Sequence, residues 1–81
     1  MKKTIGQAWE QLPDTKFFLQ CQDKDGMRII QQTTQPTTLD TGVKLKDGQG
    51  IDTDMNDLFE GICWIRSEFG ENKDYWYQAR P

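Results

Sequence analysis

The chain has no histidine, a single serine (Ser67) and only two cysteines among its 81 residues. Without histidine no Ser-His or Cys-His pair can form, so the common route to an activated nucleophile is closed. Structural zinc is closed with it, because two cysteines alone cannot fill a tetrahedral site. Cys21 and Cys63 are too far apart for a CxxC motif and too few for a disulfide framework. They read as reduced, buried thiols; a nucleophilic Cys63, its pKa lowered by nearby Arg66, is the alternative. No GxxxxGK[ST] or GxGxxG occurs, since Gly48-Gln49-Gly50 has no third glycine. The run Asp52-Thr53-Asp54-Met55-Asn56-Asp57 fails as a calcium loop: Asp57 stands where glycine is needed and Cys63 where glutamate is. No apolar stretch approaches a membrane span. Met1-Lys2-Lys3 is followed by polar Gln7, Glu10 and Gln11 rather than an apolar leader core. The expectation is a cytoplasmic protein that is not an enzyme and needs neither cofactor nor metal.

What is present points to binding. Net charge is −3, from 10 basic and 13 acidic residues, and the acids are unevenly placed. Asp47, Asp52, Asp54, Asp57 and Glu60 fall between Lys46 and Arg66 with no base among them. They read either as a solvated face or as an acidic patch. Such a patch suits an inhibitor of the anti-CRISPR or anti-restriction type, which competes with nucleic acid for a basic site on a host defence protein. The scattered lysines and arginines form no stripe for phosphates, so direct nucleic-acid binding is disfavoured. Residues 1–81 make one domain, small enough that pairing into a homo-oligomer would usefully supplement its core.

Periodicity predicts an α+β fold: a small, mainly antiparallel sheet, a short N-terminal helix and a further short helix around 54–61. Ile5, Ala8, Trp9 and Leu12 recur at helical spacing, with Thr4 as a cap and Gln7 three residues on. Lys16 to Gln22 alternates with period two, Asp23-Lys24-Asp25-Gly26 is a turn, and Met27 to Thr33 reads as the partner strand of a hairpin. Pro36 excludes a central strand from Thr33 to Thr41, leaving an edge strand or a loop. Gly42 to Lys46 is a short strand. Asp54 could cap a helix carrying Met55, Leu58 and Phe59 that ends at Gly61. Ile62 to Glu68 reads as strand, with a helix through Arg66 as the alternative, and Tyr75 to Gln78 as a final strand.

The C-terminal third holds Trp64 and Trp76, both tyrosines and Ser67. Aromatics with a polar edge are favoured at recognition surfaces. In the final strand Tyr75 and Tyr77 share one face and Trp76 the other, so one face can be core while the other meets a ligand. Two segments resemble a known family. Thr4-Ile5-Gly6-Gln7-Ala8-Trp9-Glu10-Gln11-Leu12 is similar to the opening helix of the small phage proteins that counter Thoeris defence. Trp64-Ile65-Arg66-Ser67, with Trp76 nine residues after Ser67, resembles that family's closing pattern. The family's Arg-x-Gly-Trp-Asn-Gly element has no counterpart in Lys16 to Gly26. The resemblance implies a phage or mobile-element homo-oligomer that sequesters a cyclic ADP-ribose-type signal without chemistry. Such a site needs aromatic faces for the base and cations for phosphates. The candidates are Trp64, Tyr75, Trp76 and Tyr77 for the first, and Arg28 and Arg66 for the second.

Overall fold

In a computed structural model describing residues 1–55 and 57–81, without the side chain of Asp57, the regular structure is almost wholly strand. These are β1 (Lys2–Ile5), β2 (Glu10–Gln11), β3 (Phe17–Cys21), β4 (Met27–Gln31), β5 (Val43–Leu45), β6 (Gly50–Asp52), β7 (Cys63–Ser67) and β8 (Lys73–Ala79). They form two antiparallel four-stranded sheets. The first has the order β1-β8-β3-β6 and the second β2-β7-β4-β5. The alternation read from sequence decides which residues lie between them. Phe17, Leu19 and Cys21 of β3, Met27 and Ile29 of β4, Cys63 and Ile65 of β7, and Tyr75 and Tyr77 of β8 face inward and make the core with Ile5, Leu12, Leu45 and Ile51.

The α+β expectation is overturned: among the described residues there is no α-helix, only a 3-10 turn at Asp57–Phe59. Thr4 to Leu12 is instead strand, corner and strand. β1 pairs with β8 in the first sheet, the chain bends at Gln7 and Ala8, and β2 pairs with β7 in the second. Ile5, Trp9 and Leu12 are buried as their spacing suggested, but Ala8 is exposed. Nine residues are too few to hold a helix without help, and two sheet edges offered their backbone groups a complete set of partners. Of the helix expected around 54–61, Asn56 lies outside the described residues. The described part is a turn followed by the 3-10 turn.

The hairpin also resolves differently. β3 and β4 form where expected and are joined by the Asp23–Gly26 turn, closed by a Gly26 N–H to Asp23 carbonyl bond of 3.0 Å. Yet they do not pair with each other. β3 lies between β8 and β6, and β4 between β7 and β5, so the turn carries the chain from one sheet to the other. Residues 33–42 are neither strand nor helix; they form a strap that crosses the outer face of the second sheet. No helix among the described residues is long and apolar enough to cross a membrane.

Candidate functional site

The outer face of the second sheet is where candidate residues converge. Outward positions of β7 and its extension are Trp64, Arg66 and Glu68; those of β4 are Arg28 and Ile30. Register sets Arg28 directly opposite Arg66 and Ile30 opposite Trp64. Two guanidiniums facing each other across a ladder would repel. Glu68 resolves this: its Oε1 accepts from Arg28 Nε and lies 3.7 Å from Arg66 Nη1. The triad is largely withdrawn from water, the Arg66 and Glu68 side chains being 5% and 9% exposed and that of Arg28 23%. Trp9, which sequence reasoning placed on a helix face, lies under the Arg66 guanidinium at 5.9 Å, a cation–π contact.

Above these groups runs the strap. Trp9 Nε1 donates to the Thr38 carbonyl (2.8 Å), Arg28 Nη1 to Asp40 (2.9 Å), Trp64 Nε1 to Gln32 (3.1 Å) and Arg66 Nη1 to Leu39 (3.2 Å). Arg66 Nε turns to the Gln7 carbonyl at 2.8 Å in the corner after β1. Four side chains, from β4, β7 and the corner before β2, thus spend donors on the main chain of residues 32–40. Pro36 is the strap's buried apolar anchor, and Gly42 returns it to β5. Gly42 has φ of +91°, and a Cβ there would lie 2.7 Å from the Ile29 carbonyl oxygen, so the strap closes against β4 only because this residue has no side chain.

The other candidates lie elsewhere. Tyr75 and Tyr77 are core residues between the sheets, 5% and 4% exposed. The Tyr77 ring stacks on Phe17 with centroids 5.8 Å apart, and its hydroxyl donates to Asp14 Oδ2 at 2.8 Å. Burial and that carboxylate raise its pKa. Trp76 stands on the outer face of the first sheet, across the molecule from Arg66, and is 36% exposed. One chain therefore does not gather the six candidate binding residues: Arg28, Trp64 and Arg66 meet, while Tyr75, Tyr77 and Trp76 do not join them. The described residues enclose no pocket. Of the acidic set, Asp52 pairs with Arg80 at 2.9 Å, Asp54 lies 3.6 Å from Arg80 Nε, and Glu60 lies 3.7 Å from Lys16. Asp47 is exposed; the side chain of Asp57 lies outside the described residues.

Both thiols are inward-facing. Cys63 is fully buried, donates from Sγ to the Phe59 carbonyl (3.1 Å), and has its pKa raised by burial from 9.0 to about 11. Arg66 is on the opposite face of β7 and gives the thiol no help. Cys21 is also raised, first by burial, outweighing its bond to the Asp23 carbonyl. A raised thiol pKa means that the fold holds the protonated form. Its contribution to stability is complete below pH 9 and is lost as pH rises toward 11, because the unfolded chain ionises first. Unfolding free energies from urea melts are expected to fall between pH 9 and 11, with a shallower slope in Cys63→Ala. An identical slope in the variant would show that Cys63 does not titrate with folding.

The missed residues are Trp9 and Glu68. The i, i+2, i+4 spacing of Trp64, Arg66 and Glu68 was a readable signal for one outward row on a strand. No local signal marked Trp9. Comparison with protein-family models, curated proteins and solved structures finds no match for this chain.

Proposed function

We propose that the protein is a non-enzymatic binding protein that captures a nucleotide-type ligand on the outer face of its second sheet, beneath the strap. The observation that carries this reading is the convergence there of two guanidiniums, Arg28 and Arg66, with two indoles, Trp9 and Trp64. Planar guanidinium forks suit phosphate, and indoles supply stacking faces for a base. In the closed state neutral carbonyls of the strap hold these donors. A phosphate oxygen makes a stronger, charge-assisted bond to guanidinium than a carbonyl does, so a ligand that lifts the strap gains on exchange. Glu68 leaves the buried triad one positive charge in excess, which favours an anion. Sequestering an immune signal in a host-cell cytoplasm, as a phage or mobile-element counter-defence protein would, needs binding of this kind and no chemistry.

Calorimetry with cyclic ADP-ribose isomers tests the proposal. Binding is expected in the wild type and should weaken at least about tenfold, or about 1.4 kcal/mol, in Arg66→Lys, which keeps the charge but loses the fork. Hydrogen exchange of residues 33–41 should change on binding. Folded protein that gives no heat at high micromolar concentration, or binds equally well as Arg66→Lys, refutes it. A second reading, an acidic inhibitor of a nucleic-acid-binding host protein, is favoured by Met55 and Leu58. These are the two most exposed large apolar side chains (86% and 71%), and they lie within the acidic segment. Partner binding that weakens steeply with salt and survives Arg66→Lys would select it.

A further inference from the structure

The outer row of the second sheet does not stop at Arg28. Lys44 of β5 stands directly opposite it, so Lys44, Arg28 and Arg66 form one row across β5, β4 and β7. Directly opposed residues of antiparallel strands share a face, with Cα atoms about 5 Å apart. Lys44 is exposed and takes no part in holding the strap. Its stem runs beside the triad: Lys44 Cε lies 3.4 Å, and Glu68 Cγ 3.9 Å, from the point that a Cβ on Gly26 would occupy. The acids nearby are committed elsewhere. Glu68 serves the two arginines and Asp25 pairs with Lys73 at 3.1 Å, while Asp40 meets Arg28 through its carbonyl. Among the described residues no ion pair engages Lys44. The row thus sets three cations against the one carboxylate of Glu68, in a molecule whose net charge is −3.

We infer that Lys44 and the open side of the Arg28 guanidinium form an outer anion site that takes a phosphate while the strap is closed. Resting on the nucleotide reading above, it is also where the ligand's phosphate lands first. Accessibility orders the two arginines, Arg28 being 23% exposed and Arg66 5%. Arg28 gives Nε to Glu68 and Nη1 to Asp40, and among the described residues no bond engages its Nη2. A guanidinium fork beside a compact ammonium suits a phosphate: the fork fixes orientation and the ammonium adds charge. Of the four bonds that hold the strap, only that from Arg28 to Asp40 lies at the surface; the other three are partly buried. A phosphate seated here competes with the Asp40 carbonyl alone. The strap then lifts from that end, and Arg66, Trp9 and Trp64 are reached afterwards. This division sets the kinetics, because an exposed charge acts on association and a buried, hydrogen-bonded one on dissociation. A lysine on an edge strand also discourages strand addition, a role that would leave anion binding unchanged by its loss.

Titration of isotope-labelled protein with inorganic pyrophosphate, followed by NMR, tests the site. The amide signals of Lys44 and Gly26 and the Arg28 Nε–H are expected to shift. The Trp9 and Trp64 indole signals should not move, because the strap stays closed. Lys44→Gln should weaken this binding at least about threefold, and Lys44→Arg should retain it. Lys2→Gln, the same charge change on the outer face of the first sheet, should leave it unaltered. No shift at Lys44 and Arg28, or equal weakening by Lys44→Gln and Lys2→Gln, overturns the inference. Stopped-flow indole fluorescence with a cyclic ADP-ribose isomer tests the landing. Lys44→Gln should slow association at least about threefold and leave dissociation unchanged, whereas Arg66→Lys should speed dissociation. Unchanged association in Lys44→Gln overturns the landing step. Pyrophosphate shifts at Lys44 without binding of any isomer refute the nucleotide reading and leave the outer site standing, so the two failures are distinguishable.

Discussion

Glu68→Ala is expected to lose about 3–5 kcal/mol of unfolding free energy. Glu68 is the shared anion between two arginines that the ladder sets directly opposite each other. Its removal leaves two cations facing one another on a surface largely withdrawn from water by the strap and Trp9. Breaking a buried pair costs more than the pair contributed, because the surviving charges keep their desolvation penalty and lose its compensation. Relief is available only by lifting the strap, which would hydrate both guanidiniums and break the bonds to Thr38, Leu39 and Asp40. The variant should therefore show lower stability together with a red-shifted indole emission, as Trp9 and Trp64 meet water. Glu68→Gln, which keeps an acceptor oxygen but no charge, should recover only a minor part. Urea melts of the three proteins provide the measurement. A loss below about 1 kcal/mol, the range of an exposed ion pair, would mean that solvent reaches the triad.

Phe17→Ala is expected to cost about 3–5 kcal/mol, the range for a buried aromatic cut to alanine. Phe17 is fully buried and stacks on Tyr77. Its backbone also ties the start of β3 to the end of β6. The Phe17 N–H donates to Thr53 Oγ1 (2.9 Å), and the Phe17 carbonyl accepts from the Thr53 N–H (3.0 Å) and hydroxyl (3.2 Å). The cavity would open between the sheets and could not fill from the surface, because Tyr77 is held by Asp14 on its far side. Phe18→Ala, one residue on but on the outer face, should cost much less in the monomer. The pair of variants measures the inside–outside assignment of β3, and equal losses would contradict it. Thermal or urea unfolding by circular dichroism suffices.

Several parts of this architecture were legible in sequence. The alternation of Phe17-Phe18-Leu19-Gln20-Cys21 gave the strand, and that of Tyr75-Trp76-Tyr77 correctly separated two residues from one. Here tyrosines are core and tryptophan faces out, so the aromatic set could not act together. The N-terminal segment misled for an identifiable reason. Ile5, Trp9 and Leu12 are buried, but a spacing of four and three is compatible with a strand, a corner and a second strand as well as with a helix. Hydrophobic spacing reports burial; it selects an element only when the window is long enough.

Local pattern was sufficient for what depends on a residue and its immediate neighbours. It read strands at β3, β4 and β8 and, with a helix through Arg66 as the alternative, at β7; it divided β3 and β8 into two faces and excluded histidine-based chemistry. Only the tertiary structure decided which strands are neighbours. The turn Asp23–Gly26 is as good at changing sheets as at making a hairpin, and the choice was made by β8 and β6 competing for the edges of β3. It also decided what Arg28, Trp64 and Arg66 do in the closed chain. Their partners are Glu68 and the carbonyls of residues 32–40, and a carbonyl's position is set by how a loop closes over a sheet, not by the residue that bears it.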